Sequence, residues 1–186
     1  MNIPNSLTLI RILLIPVFIL VFYLPYKWTH LAAAALFALG AITDWLDGYL
    51  ARKLDQTSVF GAFLDPVADK LLVATALVLL VQADPRAWLA IIAAVIIGRE
   101  IAVSALREFM AEMGQRSQVK VATVGKVKTV AQMSAIILMI YRIPIREVPV
   151  YEIGFVLLMV AAGLTLWSMF VYLQAAWPSL KPGAGE

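Results

Sequence analysis

The sequence predicts an all-α polytopic membrane protein, a bundle of six transmembrane helices with N- and C-termini cytoplasmic, forming one membrane domain over residues 1–186. Three observations carry that expectation. The 186 residues are 62% hydrophobic and 15% charged, far from the even mix of a soluble domain. Six apolar runs approach the roughly 20 residues that cross a bilayer. The connections between them, such as LPYK, QADPRA and IPIREVP, are too short to hide a soluble domain.

The first run, about Leu7 to Leu24, follows MNIPNSLTLIRILLIPVF. Its only early basic residue, Arg11, lies inside the apolar stretch and no small-residue cleavage site ends it, so it reads as a retained helix rather than a cleaved signal. Asn5, Thr8 and Arg11 make a polar stripe at spacing three along it. The second run, Trp28 to Arg52, contains AAAALFALGA, whose small residues suit close helix packing or simply an alanine-rich span. The third, Ser58 to Val81, includes Pro66, which either frees a carbonyl one turn back and bends the helix or marks its start. The fourth, Ala87 to Phe109, buries Arg99 and Glu100, charges expected to face the bundle and pair. The fifth, Ala122 to Tyr141, begins with Lys126 and Lys128. The sixth runs from Val150 to Trp177. Trp28, Trp88 and Trp177 fit interface anchors, and the lone His30 falls on the outer side.

Orientation follows from the excess of Lys and Arg in cytoplasmic loops. An inside N-terminus puts Arg11, Arg52, Lys53, Arg107, Arg116, Lys120, Lys126, Lys128 and Lys181 at cytoplasmic ends and leaves Lys27, Arg86, Arg142 and Arg146 outside. These cations track membrane ends and form no interleaved basic and aromatic surface, so nucleic-acid binding is not expected. The absence of cysteine excludes disulfides and thiolate metal sites; a metal would need oxygen ligands or His30.

The chemistry concentrates in TDWLDGYLARKLDQTSVFGAFLDPVADK, Thr43 to Lys70, which holds five aspartates. Asp55 reads as a turn residue. Asp44 and Asp47 are three residues apart and Asp65 and Asp69 four apart, so each pair shares one helix face. At ~1.5 Å rise per residue, Asp44 lies roughly 12 Å before the end of its helix and Asp65 roughly 10 Å after the start of the next. Antiparallel neighbours would bring all four to one depth. Each charge there costs ~2.5 to 3.5 kcal/mol on the lenient insertion scale, so a compensating cation is expected. Carboxylate oxygens suit hard divalent ions, and Mg²⁺ commonly shares its sphere with phosphate. Arg52, on the same side of its helix, adds a phosphate partner. Gly48 and Ala51, within roughly 40° of Asp44, and Gly61 on the facing helix leave bare backbone for close approach.

The spacing Asp44-x2-Asp47-Gly48-x2-Ala51-Arg52-x8-Gly61-x3-Asp65-x3-Asp69 resembles the signature of the CDP-alcohol phosphatidyltransferases at all eight of its positions. The resemblance implies a six-helix membrane enzyme, usually a homodimer, that uses Mg²⁺ or Mn²⁺ to displace CMP from a CDP-linked lipid by a second alcohol. It implies that Asp44, Asp47, Asp65 and Asp69 hold the metal, that Asp69 is the catalytic base, and that Gly48 and Arg52 contact the nucleotide diphosphate. Asn5, Thr8 and Ser58 correspond to further contacts with CDP-diacylglycerol, although N-capping accounts for Asn5 and Ser58 equally well. NIPNSLTLIRILLIP, GREIAVSALREFMAEMG and VGKVKTVAQ are similar to the bacterial inner-membrane members that join CDP-diacylglycerol to glycerol 3-phosphate.

A phosphorylated acceptor needs cations at the depth of the acids, and Arg107, Lys126 and Lys128 are the candidates, with positive-inside topology as the alternative account of each. Lys126 and Lys128 differ by roughly 200° around a helix, so one of them should face the site. Two other functions compete: a related enzyme using phosphatidylglycerol, inositol phosphate or serine as acceptor, and a cation-coupled transporter, since intramembrane acids also mark ion paths. The acids form one cluster near one face with no polar pathway through the outer halves of the helices, which argues against transport.

Overall fold

A computed structural model describes residues 3–53, 59–112 and 123–180, all of them helix or short connection. Six helices follow in order: α1 (Ile3–Tyr23), α2 (Thr29–Lys53), α3 (Val59–Ala83), α4 (Ala87–Glu112), α5 (Thr123–Tyr141) and α6 (Val150–Leu180). The expected six elements are therefore present, and their ends fall within a few residues of the apolar runs. No strand interrupts them among the described residues.

Among the described residues, four helices are long and apolar enough to cross a membrane, over Ser6–Tyr23, Pro66–Ala83, Ala87–Ala111 and Val150–Gln174. Apolar stretches of α2 and α5 are described over Thr29–Asp44 and Lys128–Tyr141. The helices themselves continue, at 25 and 19 residues, or about 37 and 28 Å at ~1.5 Å per residue. The architecture is that of a polytopic membrane protein.

The outward faces are apolar, as lipid contact requires: Leu13, Leu20, Trp88, Ile101, Val130 and Trp167 are each more than 60% exposed. The inward faces form one cluster running through all the helices, with Phe18, Phe37, Leu72, Leu77, Leu89, Ile96, Ile136, Met139 and Leu158 sealed at its centre. The closest pairings are α5 with α6 and α1 with α2. Gly154 permits the first: a Cβ there would sit 2.9 Å from the Ala135 carbonyl oxygen and 2.8 Å from Met139 Cγ. The helix α3 runs through Pro66, seven residues beyond its start, so Pro66 does not mark a ragged helix start.

At the end of the bundle formed by the α3–α4 and α5–α6 connections, a polar clasp ties α4 to α6. Arg86 donates to Asp84 at 2.8 Å and to Glu152 at 3.4 Å, and its guanidinium lies over Phe155 at 4.5 Å. The Tyr151 hydroxyl donates to the same Asp84 oxygen. Burial pushes the Asp84 carboxyl up, but these hydrogen bonds outweigh it and hold the group below its ordinary range.

Candidate functional site

The acids enter from two antiparallel helices. Asp44 and Asp47 lie on α2 and Asp65 and Asp69 on α3, with Gly48 and Arg52 following Asp47 in the last turns of α2. The side chains of Asn5, Asp47, Arg52, Asp65, Arg107 and Lys126 lie outside the described residues, as does Ser58 altogether. Of the aspartate set, Asp44 and Asp69 are described in full; each lies within electrostatic range of the other, and Arg11, Glu100 and Lys70 share the field at Asp69.

Asp44 already has a cation. Arg11 of α1 donates from Nη1 to Asp44 Oδ1 at 2.8 Å, with the guanidinium side chain sealed from solvent and the carboxylate 41% exposed. Of the sequence stripe Asn5, Thr8, Arg11, the two residues with described side chains point inward: Thr8, like Arg11, is completely buried. The compensating cation expected from the sequence is thus supplied in part by the chain itself. Nearby, Thr43 donates to the Gly40 carbonyl at 2.9 Å, which satisfies its hydroxyl within the helix.

Asp69 is different. Its Oδ1 is buried and has no hydrogen-bond partner. An orphaned carboxylate oxygen costs free energy unless something fills its lone pairs. It borders a cavity of about 210 Å³ between α3, α4 and α5, whose polar lining is Asp69, Lys70, Glu100, Lys128, Thr129 and Gln132 and whose other walls are apolar, with Val73 and Ile97 among them. A second recess of about 310 Å³ adjoins it, between Pro66, Asp69, Glu100, Ser104 and Glu108. Lys128 is 4% exposed and Gln132 7%. Lysine is rarely so buried unless it is paired, and Lys128 does have a partner.

Two residues at this cavity are not singled out by sequence reasoning as lining it. Gln132 lies four residues after Lys128, hence on the same face of α5, a signal the sequence does carry. Glu100 is held by its neighbour: Arg99 donates to Glu100 Oε2 at 2.7 Å and to Ser168 Oγ of α6 at 2.9 Å. The pairing expected for these two charges is present, and it also fixes α4 against α6.

The donor set fits a hard divalent ion in kind: it is all carboxylate, and the orphaned Asp69 oxygen is short of a cation. Among the described residues no three acidic or histidine side chains come close enough to hold a metal. Two of the four aspartates lie beyond that description.

The family model for CDP-alcohol phosphatidyltransferase matches residues 1–167. A Pseudomonas fluorescens protein named CDP-diacylglycerol--glycerol-3-phosphate 3-phosphatidyltransferase is 59% identical over 182 residues, covering 97% of this chain and 93% of that one. Proteins of the same name from Sodalis glossinidius (strain morsitans) and Yersinia pestis (strain Pestoides F) are 54% identical over 176 residues and 53% over 180. The first alignment covers 95% of both chains and the second 97% of both.

Proposed function

The chain belongs to the CDP-alcohol phosphatidyltransferase family, and from that premise we propose that it transfers the phosphatidyl group of CDP-diacylglycerol to glycerol 3-phosphate, giving phosphatidylglycerophosphate and CMP. The relatives' names support this acceptor. The observation that carries the reading is Asp69, with a buried, unpartnered carboxylate oxygen on the edge of a cavity that also holds a buried lysine.

In the proposed mechanism Asp69 takes the proton of a glycerol 3-phosphate hydroxyl as that oxygen attacks the phosphorus bearing diacylglycerol. The bond from this phosphorus to CMP breaks, and CMP leaves with its electron pair. Lys128, with Arg107 and Lys126 at the neighbouring helix ends, binds the acceptor phosphate, and buried Gln132 is positioned to bond a glycerol hydroxyl. Asn5, Thr8, Gly48, Arg52 and Ser58 bind the CDP-diacylglycerol headgroup. Arg11 holds Asp44 in place and limits repulsion between the acids. Asp44, Asp47, Asp65 and Asp69 would hold the Mg²⁺ or Mn²⁺ that supplies Lewis-acid stabilisation to the pyrophosphate. Placement of the reactants against fixed charges suffices for this chemistry, with no covalent enzyme intermediate.

The same reading makes the chain one domain of six membrane spans in a bacterial inner membrane, homodimeric, with both termini and the acids cytoplasmic. A site sunk below the surface suits a lipid substrate arriving laterally. Purified protein given CDP-diacylglycerol with a panel of glycerol 3-phosphate, phosphatidylglycerol, inositol phosphate and serine should release CMP only with the first, and only with Mg²⁺ or Mn²⁺ present. CMP release with another acceptor alone would replace the proposed substrate, and none with any acceptor would refute the reaction. Asp69→Asn should abolish turnover while CDP-diacylglycerol still binds; an active variant removes Asp69 as base.

A further inference from the structure

At the end of the bundle away from the aspartates, a cavity of about 420 Å³ opens beside the α1–α2 turn, with Phe22, Lys27, Thr29, His30 and Ile143 in its lining. A smaller recess shares Phe22 and His30 with it and carries Arg142. At ~30 Å³ per water the larger cavity has room for a phosphate-ester headgroup.

Basic residues outnumber acids at this end, Lys27, Arg86, Arg142 and Arg146 against Asp84, Glu147 and Glu152. Lys27, His30 and Arg142 have no ion pair among the described residues. Two acids of this end, Asp84 and Glu152, are engaged by Arg86 and, for Asp84, by the Tyr151 hydroxyl as well, and Glu147 of the α5–α6 connection makes no ion pair with Lys27 or Arg142. Arg142 rests instead on the Tyr151 ring, 5.1 Å from its centroid, and its backbone is left-handed at φ 56°. Non-glycine residues rarely adopt that conformation, and it is retained here with the guanidinium beside the recess. The turn that carries Lys27 is closed by Thr29, whose hydroxyl donates to the Tyr26 carbonyl at 2.6 Å and the Leu24 carbonyl at 3.2 Å.

The surroundings say what kind of anion reaches this place. Tyr26 and Trp28 stack with centroids 6.1 Å apart, and both rings are more than half exposed, as befits the aromatic belt at headgroup level. Below them Leu20 and Leu31 present apolar surface for acyl chains. Lys27 and Arg142, with no ion pair among the described residues and on the side of the membrane where basic residues are normally scarce, are matched by a lipid phosphate, with His30, in the lining of both recesses, as a hydrogen-bonding partner.

We propose that this cavity binds one anionic phospholipid, its phosphate held by Lys27, His30 and Arg142 and its acyl chains lying along α1 and α2. The site is separate from the lipid substrate's, because it stands at the opposite end of the bundle.

Native mass spectrometry of the full-length protein in detergent tests this, with phosphatidylglycerol titrated against phosphatidylcholine of the same chains. The expected result is one phosphatidylglycerol bound at least tenfold more tightly than phosphatidylcholine. In Lys27→Gln/His30→Gln/Arg142→Gln that preference should fall at least tenfold while CMP release in phosphatidylcholine micelles is unchanged. Equal retention of the two lipids, or unaltered phosphatidylglycerol binding by the triple variant, overturns the proposal. Displacement of phosphatidylglycerol by an equal concentration of inorganic phosphate would also overturn it, making the site one for free phosphate. Should the triple variant fail to fold, Lys27→Gln, at an exposed turn position, should alone weaken phosphatidylglycerol binding severalfold, and no change there refutes the site.

Discussion

Breaking the Arg11–Asp44 pair should cost measurable stability and activity, and the two can be separated. The guanidinium is fully buried and its Nη1 lies 2.8 Å from Asp44 Oδ1. With charge centres ~4 Å apart and an effective dielectric of ~20, the attraction is about 4 kcal/mol. The carboxylate is 41% exposed, so solvent screening reduces this, and about 2 kcal/mol is a reasonable coupling. For a chain of this length that corresponds to a thermal midpoint lower by about 4–8 °C in Arg11→Met. Asp44→Asn should also lower the midpoint, and the double variant should lie above the sum of the two, because the second change removes a partner already lost. Activity responds separately: about 2 kcal/mol at the site is a ~30-fold loss in kcat/KM for Arg11→Met. The assays are fluorescence-monitored melting in one detergent and CMP release at saturating divalent ion. Additive midpoint shifts, or an Arg11→Met enzyme with unaltered kcat/KM, would show that the pair neither braces the helices nor serves the acids.

Lys128→Met should raise KM for glycerol 3-phosphate by about 10- to 100-fold, as expected for loss of one charge-assisted hydrogen bond, and leave KM for CDP-diacylglycerol alone; equal effects on both would assign Lys128 to packing. Gly154→Ala should lower the melting midpoint by the equivalent of about 1–3 kcal/mol, since its Cβ would press on the Ala135 carbonyl oxygen at 2.9 Å. Gly163→Ala, further along the same helix with open space where its Cβ would sit, serves as the tolerated control, and equal midpoints would remove the close-packing argument. Asp84 has a folded-state pKa depressed below the ordinary value of about 3.9. Its contribution is therefore complete above pH ~4 and lost as pH falls through the folded value. The melting midpoint of wild type should drop in acid more steeply than that of Asp84→Asn, and parallel curves would show that the clasp contributes nothing there.

The sequence makes the helices legible because each is an apolar run between short polar connections, and a bilayer leaves the backbone few alternatives. The aspartates were legible for the converse reason: charge among apolar residues needs a purpose, and the spacing within α2 and α3 identifies a shared face. What the sequence does not specify is which cation meets which acid. Arg11 reads there as one residue of a polar stripe and as a topology signal; only the packing of α1 against α2 and α3 makes it the partner of Asp44. Glu100 and Gln132 escape for a similar reason, since a cavity between three helices is a property of their packing.

The polar network at the α3–α4 connection and the one around Asp69 treat charge in opposite ways, and that contrast bears on what each is for. At the α3–α4 connection Asp84, Arg86, Tyr151 and Glu152 complete one another, so the network needs nothing from outside and acts as a fastening. At the other end Arg11 meets Asp44 and Arg99 meets Glu100, yet Asp69 keeps an oxygen without a partner beside open space. A half-satisfied polar cluster is costly to keep in a fold that could have closed it with an apolar residue. Its retention next to a cavity with a buried lysine makes sense if the missing partners arrive with substrate. The fastened end then holds α3, α4 and α6 in register while the other end stays open to exchange ligands. Stability and reactivity are thereby placed on different residues, and Arg86→Met should lower the melting midpoint while leaving KM for both substrates unchanged. An altered acceptor KM in that variant would show that the two ends are coupled through the helices rather than independent.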